Sequence, residues 1–409
     1  LLLALPLVVA CAESPAGPPV ALTELPRALT SAESGVAGAS NAFAFDLFRE
    51  AAAASTRNAF VSPLSVSMAL GMLLNGADGA TLEAMRSTLH LGPSSGLGSP
   101  SLTEVNAGYR GLIDLLRGLD ATTQLRVANS VWYRAGFTAA PDFLTATRAS
   151  FDAEVRAVDF AAPATLGTIN GWVRDATAGR IPSILDAIRP DDVMYLINAI
   201  HFKGRWRTAF DPSQTQLAAF QAATGGVQQV PMMHRQDRYR LLETPAFAAV
   251  DLPYGNGAFT MTVLLPHEDI DIGLVVDSLT DARWTAMMTA LAMAPEMTAD
   301  LYLPRFTLEL TRTLNADLTT LGMGVAFDPE RADLTRLGTG FGRLFVSVVT
   351  HKTFVDVNEA GTEAAAVTGI GVGVVSAPPT FRVDRPFVFA IRERFSGAVL
   401  FLGKIVRLP

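Results

Sequence analysis

The chain has 409 residues, of which 49% are hydrophobic and 17% charged, with one cysteine and a formal net charge of −7 at pH 7. The hydrophobic fraction excludes disorder for the bulk of the chain, the lone cysteine excludes an internal disulfide framework or a thiolate metal cluster, and the acidic balance argues against nucleic acid as a partner. Length alone predicts two or three domains, since single cores rarely grow past ~250–300 residues.

The chain opens on an apolar run, LLLALPLVVAC, that ends at Cys11. A membrane-spanning helix needs ~20 apolar residues, so residues 1–10 read as the hydrophobic part of a secretion signal whose basic start is missing. Val8, Val9, Ala10 and Cys11 resemble a bacterial lipobox. That resemblance implies a mature chain starting at Cys11 and held in a membrane by acyl chains on it, more than one being needed for stable anchoring. The plainer reading is an ordinary signal peptide in which Cys11 has no role. The cysteine stands at the end of the run and nowhere else, which favours lipid attachment. Ala12 carries no inner-membrane retention signal, which leans toward the outer membrane or the cell surface. Residues 11–40, with Pro15, Pro18, Pro19 and Pro26 and a single basic residue, Arg27, read as a flexible tether.

From Ser40 the pattern turns globular. Ser40 is the expected cap of a helix carrying Ala44, Leu47, Phe48 and Ala51 on one face. Phe60 and Val61 form a short strand, after which Ser62 at an N-cap and Pro63 at the first helical position begin a second helix that stops near Gly76. Strands follow in LRVANSVWY, in YLINAIHF (almost continuously apolar, as if buried on both faces), in FTMTVLLP, over residues 345–358, and in a C-terminal hairpin, FVFAIRE and AVLFLGKIV. Helical patterns cover 169–177, 274–291 and 314–321. Strands and helices cluster separately, there is no internal repeat, and no linker breaks residues 41–409. The class expected is α+β, and the two-domain expectation weakens.

Two motifs look catalytic. Gly92-Pro93-Ser94-Ser95-Gly96 matches a hydrolase nucleophile pattern, but that chemistry needs a strand before the serine and a helix after it, and here a helix leads into a Gly/Ser/Pro loop. Gly338, Gly340 and Gly342 lack the strand–turn–helix context of a dinucleotide site. The histidines His90, His201, His234, His267 and His351 have no metal-ligand spacing. No metal or cofactor is expected.

Residues 358–381 read NEAGTEAAAVTGIGVGVVSAPPTF, in which Glu363 is the only charged side chain after Glu359. Ile370, Val372 and Val374 alternate with Gly369, Gly371 and Gly373, the period of a strand with one apolar and one bare face. Ser376, Ala377, Pro378 and Pro379 end it. The competing reading is a short alanine-rich helix and a loop, which Gly361 and Gly369 oppose.

Here the chain resembles the serpin family, over residues 41–409 in order. The match runs through NAFVSPLSVSMAL, LRVANSVWY, INGWVRDATAGRI, INAIHFKGRWRTAFDP, DLPYGNGAFTMTVLLP, LPRFTLELTRTL, LGMGVAFDPERADLT, VVTHKTFVDVNEAGTEAAA and RPFVFAIRERFSGAVLFLGKIV. NEAGTEAAA matches the family's reactive-loop hinge. The resemblance implies one domain with the serpin fold: three β-sheets, a surrounding set of helices and an exposed reactive-centre loop at about 359–380. It implies a non-enzyme, a suicide-substrate inhibitor of serine proteases. The cut loop enters the central sheet and traps the protease as an acyl-enzyme.

In the same terms, the loop hinge is Glu359, Gly361, Thr362, Glu363, Ala364, Ala365, Ala366 and Thr368. Thr362 would enter the sheet first, the three alanines need little room between strands, and Glu363 would face solvent. The family's spacing of fourteen residues from the hinge glycine sets the reactive bond between Val375 and Ser376. A valine there suits an elastase-like pocket. Ser62, Ser65, Asn198 and His351 match a hydrogen-bonded cluster beneath the opening of the sheet, Trp206 the tryptophan where the loop first enters, and Glu359 with Arg305 a pair beside it. The sequence departs from the family in its loop glycines and in Ala360, where a charge is usual. Arg86, Arg110 and Arg117 are too separated for a heparin-type site, and a monomer is expected. Two other hypotheses stand beside the inhibitor: a non-inhibitory serpin acting as a binding or structural protein at the cell envelope, and a hydrolase using Ser94.

Overall fold

A computed structural model of the chain describes residues 20–53, 56–92, 98–189, 191–362 and 378–409. The chain enters the fold earlier than its composition predicts. The first helix, Ser31–Ala52, is capped by Thr30, not Ser40. The Thr30 side chain accepts from Glu33 N, and the Glu33 carboxylate accepts from Thr30 N, the reciprocal pair of a capping box. Upstream, Leu22 N donates to Asn256 O at 2.8 Å, Leu22, Leu25 and Leu29 pack on the core, and Arg27 grips both oxygens of the buried Glu33. The tether expected over 11–40 is therefore corrected for residues 22–40, which are anchored. Cys11 lies outside the described residues. Composition misled because SAESGVAG has no large apolar side chain, whereas small residues are what this contact needs. A Cβ on Gly108 of the facing helix, Leu102–Gly118, would stand 2.5 Å from Ala32 O.

Among the described residues the central sheet has six strands. Their order is Phe306–Thr313, Thr350–Asn358, Gly361–Thr362, Met194–Arg205, Thr123–Arg134 and Glu154–Val158. Met194–Arg205 pairs antiparallel with Thr123–Arg134 over its whole length, from Met194 opposite Tyr133 to Gly204 opposite Thr123. It is covered on both sides, as its nearly continuous apolar stretch over residues 195–202 leads one to expect. Tyr195, Ile197 and Ala199 pack with Trp132 under the helix Ala164–Ala176, while Ile200 and Phe202 belong to the main core. The extended stretch expected over 345–358 is a strand only from Thr350.

The C-terminal hairpin, Phe387–Glu393 and Val399–Ile405, is buried along every residue and forms the middle of a second sheet, between Ala59–Val61 and Phe259–Pro266. The long strand Gly226–Glu243 pairs through residues 241–243 with Phe247–Pro253 and through the rest with Gln216–Ala222 and Glu296–Pro304, so it links the second sheet to a third. Thr380–Arg382, the strand just after the loop, is the third sheet's edge, parallel to residues 300–302. The helical pattern over 274–291 divides into Ile272–Ser278 and Asp281–Met293, the second capped by Thr280. Three principal sheets with helices packed around them make an α+β fold.

Candidate functional site

The site is the seam in the central sheet between Thr350–Asn358 and Met194–Arg205. Among the described residues no ladder joins these two strands directly; the sheet is continuous through Gly361–Thr362 alone. Thr362 stands opposite Val357 on one side and Gly204 on the other, and Gly361 opposite Asn358 and Arg205. Only glycine fits at 361. Its φ is +144°, and a Cβ there would lie 2.1 Å from Gly204 O.

The turn before it is pinned from three directions. Trp206 N donates to Ala360 O at 2.9 Å and Phe210 N to Glu359 O at 2.8 Å. The Trp206 indole donates to Asn358 O at 2.9 Å. The Glu359 carboxylate accepts from Thr215 Oγ1 at 2.8 Å and lies 3.6 Å from the Arg305 guanidinium. Thr362 is 2% exposed, and its hydroxyl meets the Tyr254 hydroxyl at 2.9 Å. Tyr254 stacks on Trp206 with centroids 4.5 Å apart, and burial pushes its phenol pKa up.

Below the hinge a cavity of about 570 Å³ opens between the two strands, with residues of the helix Pro63–Leu74 among its lining. The first turn of that helix holds each wall separately. On one side Ser62 N donates to His351 Nε2 at 2.9 Å. On the other Ser65 Oγ donates to Asn198 Oδ1, and Asn198 Nδ2 donates to Asn129 Oδ1 at 2.6 Å. Ser62 sits at the N-cap, but its hydroxyl does not cap the helix; it donates to Leu400 O at 2.8 Å. His351 is fully buried and its pKa is pushed down to about 4 by that burial. The neutral ring is the form that can accept from Ser62 N.

The structure thus brings Ser62, Ser65, Asn198 and His351 to the middle of the seam, and Trp206, Arg305, Glu359, Gly361 and Thr362 to its upper end. Glu363, Ala364, Ala365, Ala366, Thr368, Val375, Ser376 and Ser94 lie outside the described residues. Sequence reasoning missed Tyr254, Thr215 and Asn129. Tyr254 had a signal in the quoted DLPYGNG segment; Thr215 had none. Among the described residues no group of three or more His, Cys, Asp or Glu is placed to hold a metal ion, and no helix is long and apolar enough to cross a membrane. What the site offers is mechanical, two strand edges flanking a gap whose first two rungs are filled.

The family model for serpin (serine protease inhibitor) matches residues 38–408. A leukocyte elastase inhibitor of Homo sapiens is 33% identical over 389 residues, covering 90% of this chain and 98% of that protein. The native-state crystal structure of tengpin, a thermophilic serpin, superposes with a TM-score of 0.83 at 30% identity, covering 95% of this chain and 97% of tengpin. Human thyroxine-binding globulin in complex with its hormone also superposes at 0.83, with 28% identity over 92% of this chain and 100% of that one.

Proposed function

Because the chain belongs to the serpin (serine protease inhibitor) family, we propose that it is a suicide-substrate inhibitor of serine endopeptidases with a small apolar, elastase-like specificity pocket. One observation carries the reading. Gly361–Thr362 already stand in the seam with partners on both sides, so a strand added behind them has a register to continue. The protease serine adds to the Val375 carbonyl. The peptide bond to Ser376 breaks, its nitrogen takes the proton, and Val375 is left as an ester on the enzyme. Insertion of the freed strand then carries the protease away from its hydrolytic water. Val375 supports the elastase-like class, since a trypsin-like pocket aspartate finds no partner in it, and so does the similarity to a leukocyte elastase inhibitor.

The reading includes a place of action. The apolar run ending at Cys11 supports export across the inner membrane and a lipid anchor at the outer membrane or cell surface, with the inhibitor a monomer there. Labelled fatty acid should enter the protein and be lost in Cys11→Ala.

Mixing the protein with an elastase-like protease should give a covalent complex that survives boiling in detergent. Complete cleavage without complex would overturn the inhibitory reading. It would favour a second one, a binding or structural serpin at the cell envelope, which the likeness to thyroxine-binding globulin supports.

A further inference from the structure

The seam is spanned again at its lower end. Residues 191–193 lead into Met194–Arg205 and residues 345–349 into Thr350–Asn358, and both segments line the far end of the cavity. Asp192 is 6% exposed. Its Oδ2 is held on its own side by Arg189 N at 3.2 Å and by the Tyr195 hydroxyl. Its Oδ1 reaches across the seam and accepts from Ser347 Oγ at 2.9 Å. Ser347 is fixed on the opposite side, where its carbonyl accepts from Asn315 Nδ2 at 3.0 Å and Val349 N donates to Asn315 Oδ1 at 2.8 Å. Both ends of this hydrogen bond are therefore anchored to different walls, and the acceptor is a buried carboxylate, the stronger kind of bond.

The hinge register says what must happen there. Gly361 stands opposite Asn358 and Arg205, and Thr362 opposite Val357 and Gly204. Continued one residue at a time, that register brings Thr368 opposite both His351 and Asn198, the two wall residues tied to the helix below. It brings Val372 opposite Ser347 and Val374 opposite Asp192. A strand that ends at Val375 fills the seam to its last rungs only by passing between Ser347 and Asp192.

We infer that the Ser347 to Asp192 hydrogen bond is a latch across the lower end of the seam, which must part for the last residues of an inserted strand. It thereby sets how fast insertion completes, and so the share of protease attacks that end in trapping rather than in hydrolysis and release. This inference rests on the inhibitory reading. Asp192 and Ser347 are positioning residues, since neither touches the protease or the reacting ester.

The test uses the full chain, uncut and after cutting by a protease that cleaves the loop without being trapped. Ser347→Ala should lower the melting temperature of the uncut protein and leave that of the cut protein unchanged, because there the latch is already open. With an elastase-like protease, the ratio of released, cleaved inhibitor to trapped complex should fall about tenfold, the change expected on losing one charge-assisted hydrogen bond. Ser347→Thr, which keeps the hydroxyl, should behave as wild type. A loss of melting temperature equal in both forms would make the contact merely structural and overturn the latch, as would an unchanged partition ratio. If cutting the wild type does not raise its melting temperature, the inhibitory reading falls and the latch falls with it. A rise in wild type with equal losses in Ser347→Ala removes the latch alone.

Discussion

His351 ties the seam to pH. Its pKa is pushed down to about 4 in the fold, against an ordinary 6.5, by burial. The folded state therefore prefers the neutral ring, whose Nε2 accepts from Ser62 N. That preference stabilises the fold fully above pH 6.5 and is lost as pH falls from 6.5 toward 4, where the unfolded chain takes up a proton first; the whole effect is about 3 kcal/mol. The uncut protein should lose melting temperature between pH 7 and pH 5, and His351→Gln should flatten that part of the profile; a profile of equal slope in the variant would remove His351 as the cause. At the other end of the mechanism, Val375→Arg should move preference from elastase-like to trypsin-like proteases, as read by complex formation against a small panel. No change would mean that the reactive bond is elsewhere. At this scale the sequence was legible where function is local. Gly361 and Thr362 sit in one short motif, the first at a positive φ that glycine alone takes freely and the second buried. The Tyr254 hydroxyl that receives Thr362 comes from 108 residues away, a distance at which no spacing rule reaches.

As an element, the entering strand is defined by what its first residue buries. Thr362 is small, its hydroxyl is satisfied by Tyr254, and it faces the core under the sheet. Thr362→Arg would carry a guanidinium into that position. Burying an unpaired charge costs several kcal/mol, so the hinge should no longer seat and later rungs should not form. The expected outcome is conversion from inhibitor to substrate, with cleavage of the loop but no detergent-stable complex, and retained complex would contradict insertion from this end. In the central sheet Thr123–Arg134, Met194–Arg205 and Thr350–Asn358 were legible from alternation or a nearly continuous apolar run, whereas Phe306–Thr313 and the short Glu154–Val158 were not read as strands. The first helix was read only in its second half, with its cap misplaced at Ser40. Thr30 and Glu33 spell a capping box, yet the residues behind them are small and polar and look like linker, because the helix they contact also packs through glycine. The break at Thr280 was likewise written in a capping residue inside an otherwise continuous helical pattern.

For the whole molecule, the length pointed to several domains, and the order of matched segments pointed to one. The structure explains the difference, for the strand Gly226–Glu243 runs from one sheet into the next and the C-terminal hairpin lies in the middle of the second. A chain woven in this way does not divide at a linker. Among the described residues, the same weave leaves a seam between Thr350–Asn358 and Met194–Arg205 that spans a cavity where a ladder would stand. Strand edges that lack a ladder partner among the described residues are a reservoir of hydrogen bonds open to an added strand. On the inhibitory reading proposed above, the protein is held kinetically in this state, with its lower free energy on the far side of loop insertion. Cutting the loop should therefore stabilise the fold, the reverse of what a nick does to an ordinary domain. An inserted strand pairing on both edges adds on the order of ten hydrogen bonds at ~1 kcal/mol each. In a domain of this size, each kcal/mol moves the melting temperature by about 2 °C, so the cut form should melt about 20 °C higher than the uncut one, by calorimetry or circular dichroism. The rise should be absent in Thr362→Arg, whose cut loop has no first rung to follow. A wild-type protein that melts at the same temperature before and after cutting would show that the seam accepts no strand, and the cavity would then be read as a binding pocket.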